Sequence, residues 1–254
     1  QLFNYAYVDD ASSMEEKLRG YQLLKDFNEY KGEDYFHGTV DSDIKLEFAE
    51  VETKLKHGSN AYNYFNGGVV LLTMPFKFDS HTVVKANSLI SKIEGSTKLK
   101  TEYEFDTVDI NNATLSKYFT VMSNDKHGAF YLLSPSFIKR LVGASVRFHE
   151  LFNEEFSLIS PDFKKRIEKN KKDGIEDEMN TATLEIEFKD NKVLILIRGQ
   201  YDFLAPADLH TTVYCTKRLA VIEQQLNLIA DLAKQLKLDY LTDRKQAYNK
   251  IEEN

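Results

Sequence analysis

The spacing of apolar residues near the N-terminus predicts a helix. Four of them recur three or four positions apart: Met14, Leu18, Tyr21 and Leu24. This spacing places them on one helical face, and Ser12 or Ser13 can cap the first turn. We therefore expect a helix over residues 13–30 that ends near Gly32.

Between residues 32 and 133 the period of the apolar positions changes to two, the period of a strand. Apolar and charged residues alternate over 44–51 and again over 98–108, whereas 69–78 is a more continuous apolar run. A continuous run is typical of a strand that is buried on both faces. Residues 124–128 are typical of a turn and lie between two further apolar runs, which predicts a hairpin.

Ser134 and Pro135 can open a second helix, since serine caps a helix and proline fits its first turn. A third, charged helix is expected over residues 160–172. Residues 184–188 and 193–197 flank an Asp-Asn turn, which predicts a second hairpin. Together with a long helical pattern near the end of the chain, these elements predict an α+β fold. We expect a predominantly antiparallel, twisted sheet with helices packed on it and a long C-terminal helix.

The C-terminal helix carries a seam of apolar residues. Its members are spaced alternately by three and four positions: Leu219, Ile222, Leu226, Ile229, Ala233 and Leu236. Such a seam can form a coiled-coil homodimer. It can also pack across the chain's own sheet, and Val221, Leu228 and Leu232 favour that by widening the apolar face. We expect packing on the sheet, and a homodimer through the first four seam residues is the alternative.

One domain accounts for most of the chain. We expect residues 1–31 to form an N-terminal lead-in helix and residues 32–254 to form a single α+β domain. Residues 155–180 are strongly charged and are interpreted as an insertion in that domain. The alternative is a pair of subdomains with their boundary in the insertion.

Composition narrows the classes of partner. The chain has 33 Lys and Arg against 40 Asp and Glu, a formal net charge of −7. This balance disfavours binding to nucleic acid, which needs an accumulated positive surface. No apolar run reaches the roughly 20 residues of a membrane-spanning helix. The single cysteine, Cys215, excludes an intrachain disulfide and favours a reducing compartment.

No motif in the sequence indicates catalysis. The six histidines are scattered singly, so no metal site is predicted, and no phosphate-binding or nucleophile motif predicts a cofactor. Carboxylates spaced by two occur in several strands, including Glu50 with Glu52 and Glu185 with Glu187. Each pair shares one face of a strand, where it could serve acid/base chemistry. We interpret the pairs as the solvent face of half-buried strands.

The strongest candidate for recognition is the segment 57–68. It combines tyrosine, glycine, serine and asparagine, the composition of adaptable binding loops. We therefore predict a recognition loop that binds through Tyr62, Tyr64, Phe65 and Asn66. The competing interpretation is an ordinary polar loop whose aromatic rings pack on the sheet.

Several separated blocks occur in an order that is familiar from one protein family. They are GEDYFHGTV at 32–40, FNGGVV at 65–70, FKF at 76–78, YFTVMSND at 118–125, YLLSPSF at 131–137, FKDNKVLI at 188–195 and YDFLAP at 201–206. Together they resemble an uncharacterised bacterial family, the domain of unknown function 3137, over residues 30–238. Members of that family often carry membrane helices upstream of this domain, which then faces the cytosol.

The resemblance implies a domain tethered to the cytoplasmic face of the bacterial inner membrane by a segment outside this chain. Because no catalytic constellation is evident, we expect a non-enzymatic binding or scaffold domain with a protein partner. The alternative is an enzyme or small-ligand binder whose acidic and aromatic site matches no motif.

Overall fold

The computed structural model describes residues 5–41, 43–58, 60–87, 105–159, 165, 169, 172, 184–199 and 216–252. Its strands are β1 (Ala6–Asp10), β2 (Glu29–Val40), β3 (Ile44–His57), β4 (Asn60–Thr73), β5 (Thr82–Ala86), β6 (Asp106–Thr107), β7 (Phe119–Ser123), β8 (Leu184–Lys189) and β9 (Lys192–Arg198). Its helical elements are α1 (Met14–Leu18), a 3-10 turn (Gln22–Leu24), α2 (Ala113–Tyr118), α3 (Lys126–Leu132), α4 (Pro135–Ile159) and α5 (Thr216–Glu252).

The described strands form one sheet of nine in the order β1-β2-β3-β4-β9-β8-β5-β7-β6. Every neighbouring pair in it is antiparallel. The predicted α+β fold, with an antiparallel sheet and a long C-terminal helix, is confirmed. None of the described helices is long and apolar enough to cross a membrane.

The central strands of this sheet are apolar on both faces. In β9, Val193, Ile195 and Ile197 join one buried cluster, whereas Leu194 and Leu196 join another. Because successive side chains of a strand point to opposite faces, burying both sets requires a cover on each side of the sheet. We call the two sides the helix face and the N-terminal face, after the segments that cover them.

Helices α4 and α5 supply much of the cover on the helix face. Their buried apolar residues in that cluster are Phe137, Ile138, Leu141, Ala144 and Phe148 of α4, and Ile229, Ala230, Leu232, Ala233, Leu236 and Tyr240 of α5. The Tyr240 ring stacks on Phe76 with 4.5 Å between ring centroids. Lys237 Nζ lies 2.7 Å from Asp43 and 3.0 Å from Asp41, and hydrogen bonds to these carboxylates raise the pKa of Lys237. The contacts of Lys237 join α5 to the turn between β2 and β3.

The N-terminal segment covers the other face, and its conformation corrects the predicted helix over 13–30. Its buried apolar residues are Ala11, Met14, Leu18, Tyr21, Leu23, Leu24 and Phe27. Helix α1 ends at Leu18, the 3-10 turn follows, and β2 begins at Glu29. The segment is therefore not one continuous helix, and α1, the 3-10 turn and the residues around them each bury apolar side chains against the sheet. The boundary predicted at residue 31 therefore falls inside β2.

The predicted hairpin around residues 124–128 is also wrong, because α3 follows β7 directly. The Asp125 side chain accepts hydrogen bonds from the amides of His127 at 3.0 Å and Gly128 at 3.1 Å. These bonds satisfy first-turn amides that have no partner within the helix. The same turn residues that can close a hairpin here begin a helix.

Two other predicted elements are confirmed. Helix α4 begins after Ser134, whose hydroxyl accepts a hydrogen bond from the amide of Phe137 at 3.3 Å. Strands β8 and β9 form the predicted hairpin, with Asp190 at a φ of +53° in the turn. Most of the predicted helix over 160–172 and most of the predicted strand over 98–108 lie outside the described residues.

Gly67 allows β9 to approach β4 closely. Its φ is +146°, and a Cβ at this position would lie 2.1 Å from the carbonyl oxygen of Ile197. We predict that Gly67→Ala lowers the free energy of unfolding by roughly 2 kcal/mol or more, because the backbone conformation is strained and β9 must move. Urea unfolding at neutral pH measures this change.

Gly143→Ala is the matched control, because Gly143 lies in α4 with no atom within 4 Å of the added Cβ. This substitution should raise the free energy of unfolding by roughly 0.5–1 kcal/mol, the usual difference between alanine and glycine in a helix. An unchanged or increased stability of Gly67→Ala would contradict the close approach.

Candidate functional site

The residues predicted to recognise a partner lie in a strand and not in a loop. Strand β4 begins at Asn60 and pairs with β3 from Asn60 opposite His57 to Thr73 opposite Lys45. The turn between the two strands includes Gly58, at a φ of +63°. The tyrosine- and asparagine-rich composition of this segment therefore reflects an exposed hairpin end, not a long flexible connection.

The distal end of the β3–β4 hairpin projects beyond its neighbouring strands. Strand β9 pairs with β4 only over residues 67–73, and β2 pairs with β3 only as far as Lys54. Ala61, Tyr62 and Asn63 are all exposed, although successive residues point to opposite faces. Both faces of the hairpin end are thus open to solvent in the part of the chain that the structure describes.

A β-bulge brings three of the predicted residues to one face. Phe65 lies opposite Thr53 and Tyr62 lies opposite Leu55, so β4 has one extra residue between these pairs. Since Thr53 and Leu55 share a face, Tyr62 and Phe65 share it too, and Tyr64 packs against the same buried cluster as Phe65. We call Tyr62, Tyr64 and Phe65 the aromatic strip.

The exposed fraction of the side chains decreases along the aromatic strip, from solvent to the core. Tyr62 is 59% exposed, Tyr64 is half-buried, and Phe65 is 1% exposed. Burial, with a smaller contribution from the Asp26 charge, raises the pKa of Tyr64 to about 12, so its hydroxyl stays protonated at physiological pH. Asn66, the fourth predicted residue, does not join the strip. It pairs with Glu52, and its carbonyl accepts the amide of Gly199 at 3.0 Å.

Arg198 fixes the inner end of the strip. Its Nη1 donates to the carbonyl of Tyr64 at 3.0 Å, and its guanidinium lies 5.2 Å from the centre of the Phe65 ring. Its Nε donates to Glu185 at 2.8 Å, which orients the guanidinium. Glu185 is almost fully buried, so this ion pair is screened less by solvent than a surface pair.

Asn28 fixes the outer end of the hairpin. Its side-chain amide donates to the carbonyl of Lys56 at 2.8 Å, and its side-chain carbonyl accepts from the amide of Lys56 at 2.8 Å. Asn28 therefore extends the pairing of β2 by one residue, using side-chain atoms. Because β2 starts at Glu29, this contact supports β3 where its pairing with β2 ends.

Glu187 holds the N-terminal segment against the sheet. Its carboxylate, which is fully buried, accepts the amides of Gln22 and Leu23 at 2.9 Å each. His81 Nε2 lies 2.7 Å from the same carboxylate and donates a hydrogen bond to it. Burial, together with the Glu187 charge, raises the pKa of the neighbouring Tyr21.

The buried state of Glu185 and Glu187 corrects their interpretation as solvent-facing carboxylates. Both point to the N-terminal face, where the N-terminal segment and Arg198 supply hydrogen-bond donors. The sequence held only a weak signal for this arrangement. Spacing by two places the carboxylates on one face, but the covering segment lies more than 150 residues away in the chain.

The carboxylate of Glu187 is not free for acid/base chemistry. It binds three donors and has no exposed surface, whereas a general base must reach a substrate proton. Within the described ranges, no group of three or more His, Cys, Asp or Glu residues could hold a metal ion. The contacts of Glu187 and Glu185 join the N-terminal segment and Arg198 to β8.

The proposed dimer seam lies along α5. Ile229 is 2% exposed and packs in the helix-face core, whereas Ile222 and Leu226 are half-buried. The side chain of Leu219 lies outside the described residues. The later part of the seam thus packs in the helix-face core. Homodimerisation through the earlier part stays a prediction.

Glu47 adds a pH-dependent contact between α1 and the sheet. Burial raises the pKa of Glu47, but hydrogen bonds from Lys17 and Tyr35 outweigh that effect and lower it below its ordinary value of 4.5. A carboxyl with a lowered pKa stabilises the fold above pH 4.5, and this stabilisation is lost as pH falls through the lowered pKa.

We predict that Glu47→Gln lowers the free energy of unfolding by about 1 kcal/mol at pH 7, because its charge-assisted hydrogen bonds weaken. The loss should shrink toward zero as pH falls below 4.5, which urea unfolding across a pH series measures. Glu16→Gln is the control, because Glu16 is exposed in α1, the helix that carries Lys17, and it should have no such pH-dependent effect. A loss that stays constant down to acid pH would contradict the role of the Glu47 charge.

Part of this chain is similar to an uncharacterised protein family. Residues 63–172 match the family model described as "Protein of unknown function (DUF3137)". A comparison with curated protein sequences finds no match. Among solved structures, the chain is similar to the crystal structure of the mycobacterial trehalose monomycolate transport factor A, TtfA. The TM-score is 0.40 and the identity is 10%, over 90% of this chain and 86% of that chain.

The family match covers β4 from Asn63 onward, β5, β6, α2, β7, α3 and α4. It confirms the resemblance to this uncharacterised domain family over residues 63–172. The sequence blocks at 32–40, 188–195 and 201–206 lie outside the matched range, and for them the resemblance stays a prediction.

Proposed function

We propose that this chain is a non-enzymatic protein-binding or scaffold domain that docks a partner protein through the aromatic strip. The observation that carries the proposal is the gradation of the strip from Tyr62, 59% exposed, to Phe65, 1% exposed, on one face of a projecting hairpin. Because the Phe65 ring is buried and fixed, the exposed Tyr62 ring presents apolar surface to a partner at a defined position.

The shape of the surface favours a protein over a small molecule. Small-ligand sites are concave and bury most of the ligand, whereas the described hairpin end extends past its neighbouring strands and exposes Ala61, Tyr62 and Asn63. Tyrosine is enriched in protein interfaces because it combines a large apolar ring with a hydroxyl that can bind at the wet rim.

The contacts around the strip reduce the cost of binding. Arg198 holds the bulge at Tyr64, and Asn28 holds Lys56 in the opposing strand. A surface that is already ordered loses less conformational entropy when a partner binds, so more of the contact energy appears as affinity. Tyr62 then acts as a positioned anchor for the partner.

The same proposal includes where the domain lies in the cell and how it is tethered to the membrane. The resemblance to a family whose members often carry membrane helices supports a position at the cytoplasmic face of the bacterial inner membrane, with the tether outside this chain. The net charge of −7 supports a protein partner over nucleic acid.

The test uses the chain as bait for detergent-solubilised native bacterial membranes, followed by quantitative mass spectrometry and by binding of the purified candidate. We predict that Tyr62→Ser lowers the affinity of the true partner about tenfold or more, as expected of a central interface tyrosine. Folding should be unchanged, because Tyr62 is mostly exposed.

Tyr131→Ser is the matched control, because Tyr131 in α3 is also 59% exposed and lies outside the strip. The partner should bind this variant as it binds the unmodified chain. Equal loss with both variants, or no loss with Tyr62→Ser, would contradict docking through the aromatic strip.

A further inference from the structure

Strand β1 is an open edge of the sheet. It pairs only with β2 in the described structure, and all five of its residues are exposed. Tyr7 is 51% exposed and Val8 is 46% exposed. An exposed edge strand presents unpaired N–H and C=O groups to which another extended chain can add.

The register identifies the backbone groups that face outward. The amide of Ala11 donates to the carbonyl of Gly32 at 3.3 Å, and the same register continues with Asp10 opposite Glu33 and Val8 opposite Tyr35. Backbone groups of an antiparallel strand alternate between its two sides. Since Ala11 bonds toward β2, the N–H and C=O groups of Ala6, Val8 and Asp10 point away from the sheet.

Natural proteins often protect such an edge with lysine, proline or a bulge in the edge strand. Strand β1 has the sequence Ala-Tyr-Val-Asp-Asp and pairs with β2 in unbroken register, so it has none of these features. Among the described strands, β2 is the one that pairs with β1, which leaves the outward backbone groups of Ala6, Val8 and Asp10 for an added strand.

The edge is acidic at one end. Asp10 lies directly opposite Glu33, and Asp9 precedes it in the same exposed strand. Tyr7 donates to Asp34 at 2.6 Å, Lys31 lies 3.0 Å from Glu33, and Asp10 accepts from the amide and the hydroxyl of Ser12. Like charges directly opposite each other are unfavourable, and a cationic neighbour would relieve them.

We propose that β1 binds an extended, basic segment of a partner protein as an additional antiparallel strand. The outward backbone groups of Ala6, Val8 and Asp10 supply the pairing, and lysine or arginine side chains of the segment lie beside Asp9 and Asp10. A second copy of this chain fits less well, because its β1, paired antiparallel about Val8, would place Ala6 and Tyr7 instead of cations beside Asp10 and Asp9. The proposal goes beyond docking at the aromatic strip and does not depend on it.

The experiment measures binding of a capped peptide, Ser-Lys-Lys-Val-Thr-Val-Ser, to the full chain at low salt. Aligned antiparallel to β1, its two lysines lie opposite Asp10 and Asp9. We expect saturable binding, with slower hydrogen exchange at the amides of Ala6, Val8 and Asp10. A peptide with glutamate in place of both lysines should bind about tenfold more weakly or not at all.

Val8→Pro is the discriminating variant, because proline removes an outward N–H and is tolerated on the open side of an edge strand. It should weaken peptide binding about tenfold without changing stability, whereas Val8→Thr, which keeps the amide, should bind normally. Tyr62→Ser should also bind the peptide normally, which separates this surface from the aromatic strip.

Three results would overturn the proposal. They are equal binding of the acidic peptide, unchanged binding by Val8→Pro, and the absence of any exchange protection in β1. A change in sedimentation of the peptide-free chain on Val8→Pro would identify a second copy as the occupant and would equally overturn it.

Discussion

The carboxylate of Glu187 connects two layers that the sequence places far apart. The central strands must bury apolar side chains on both faces, and residues 11–27 supply much of the cover that the described part of the chain places on the N-terminal face. That segment is too irregular to pair as a strand, so its backbone amides need other partners. Glu187 accepts two of these amides from within the sheet, which allows the segment to lie flat on the apolar surface.

The same face supports the candidate binding surface. Phe65, at the buried end of the aromatic strip, belongs to the cluster that the N-terminal segment covers. Glu185 and Glu187 are two residues apart on β8, so one holds Arg198 under the bulge while the other holds the cover. The position of Tyr62 therefore depends on a core that both carboxylates help to assemble.

Elements with strong local periodicity could be predicted from the sequence. The β8–β9 hairpin and the start of α4 follow from alternation, an Asp-Asn turn and a Ser-Pro opening. Local sequence patterns gave the wrong element where the same residue types suit two different local structures. Residues 124–128 suit a hairpin turn or a capped helix, and the direct passage from β7 to α3 decides between them. Residues 57–68 have the composition of a loop, but pairing with β3 holds most of them in a strand.

The site was only partly predictable for a related reason. Tyr62, Tyr64 and Phe65 stand out by composition, but the bulge that aligns them depends on the pairing of β3 with β4. Asn28 and Arg198, which hold the strip, are ordinary polar residues in the sequence, and only the three-dimensional register reveals their contacts. Glu187 has the spacing of a solvent-facing residue, and its burial follows from a cover supplied by a distant segment.

Hydrogen exchange in Glu187→Gln tests this account most directly. Glutamine presents an NH2 group to one of the two amides, so the amides of Gln22 and Leu23 should exchange at least about tenfold faster, with a loss of roughly 2–3 kcal/mol in the free energy of unfolding. Glu185→Gln, on the same strand and face, should leave those two amides protected. Unchanged protection of Gln22 and Leu23 in Glu187→Gln would contradict the claim that this carboxylate holds the N-terminal cover on the sheet.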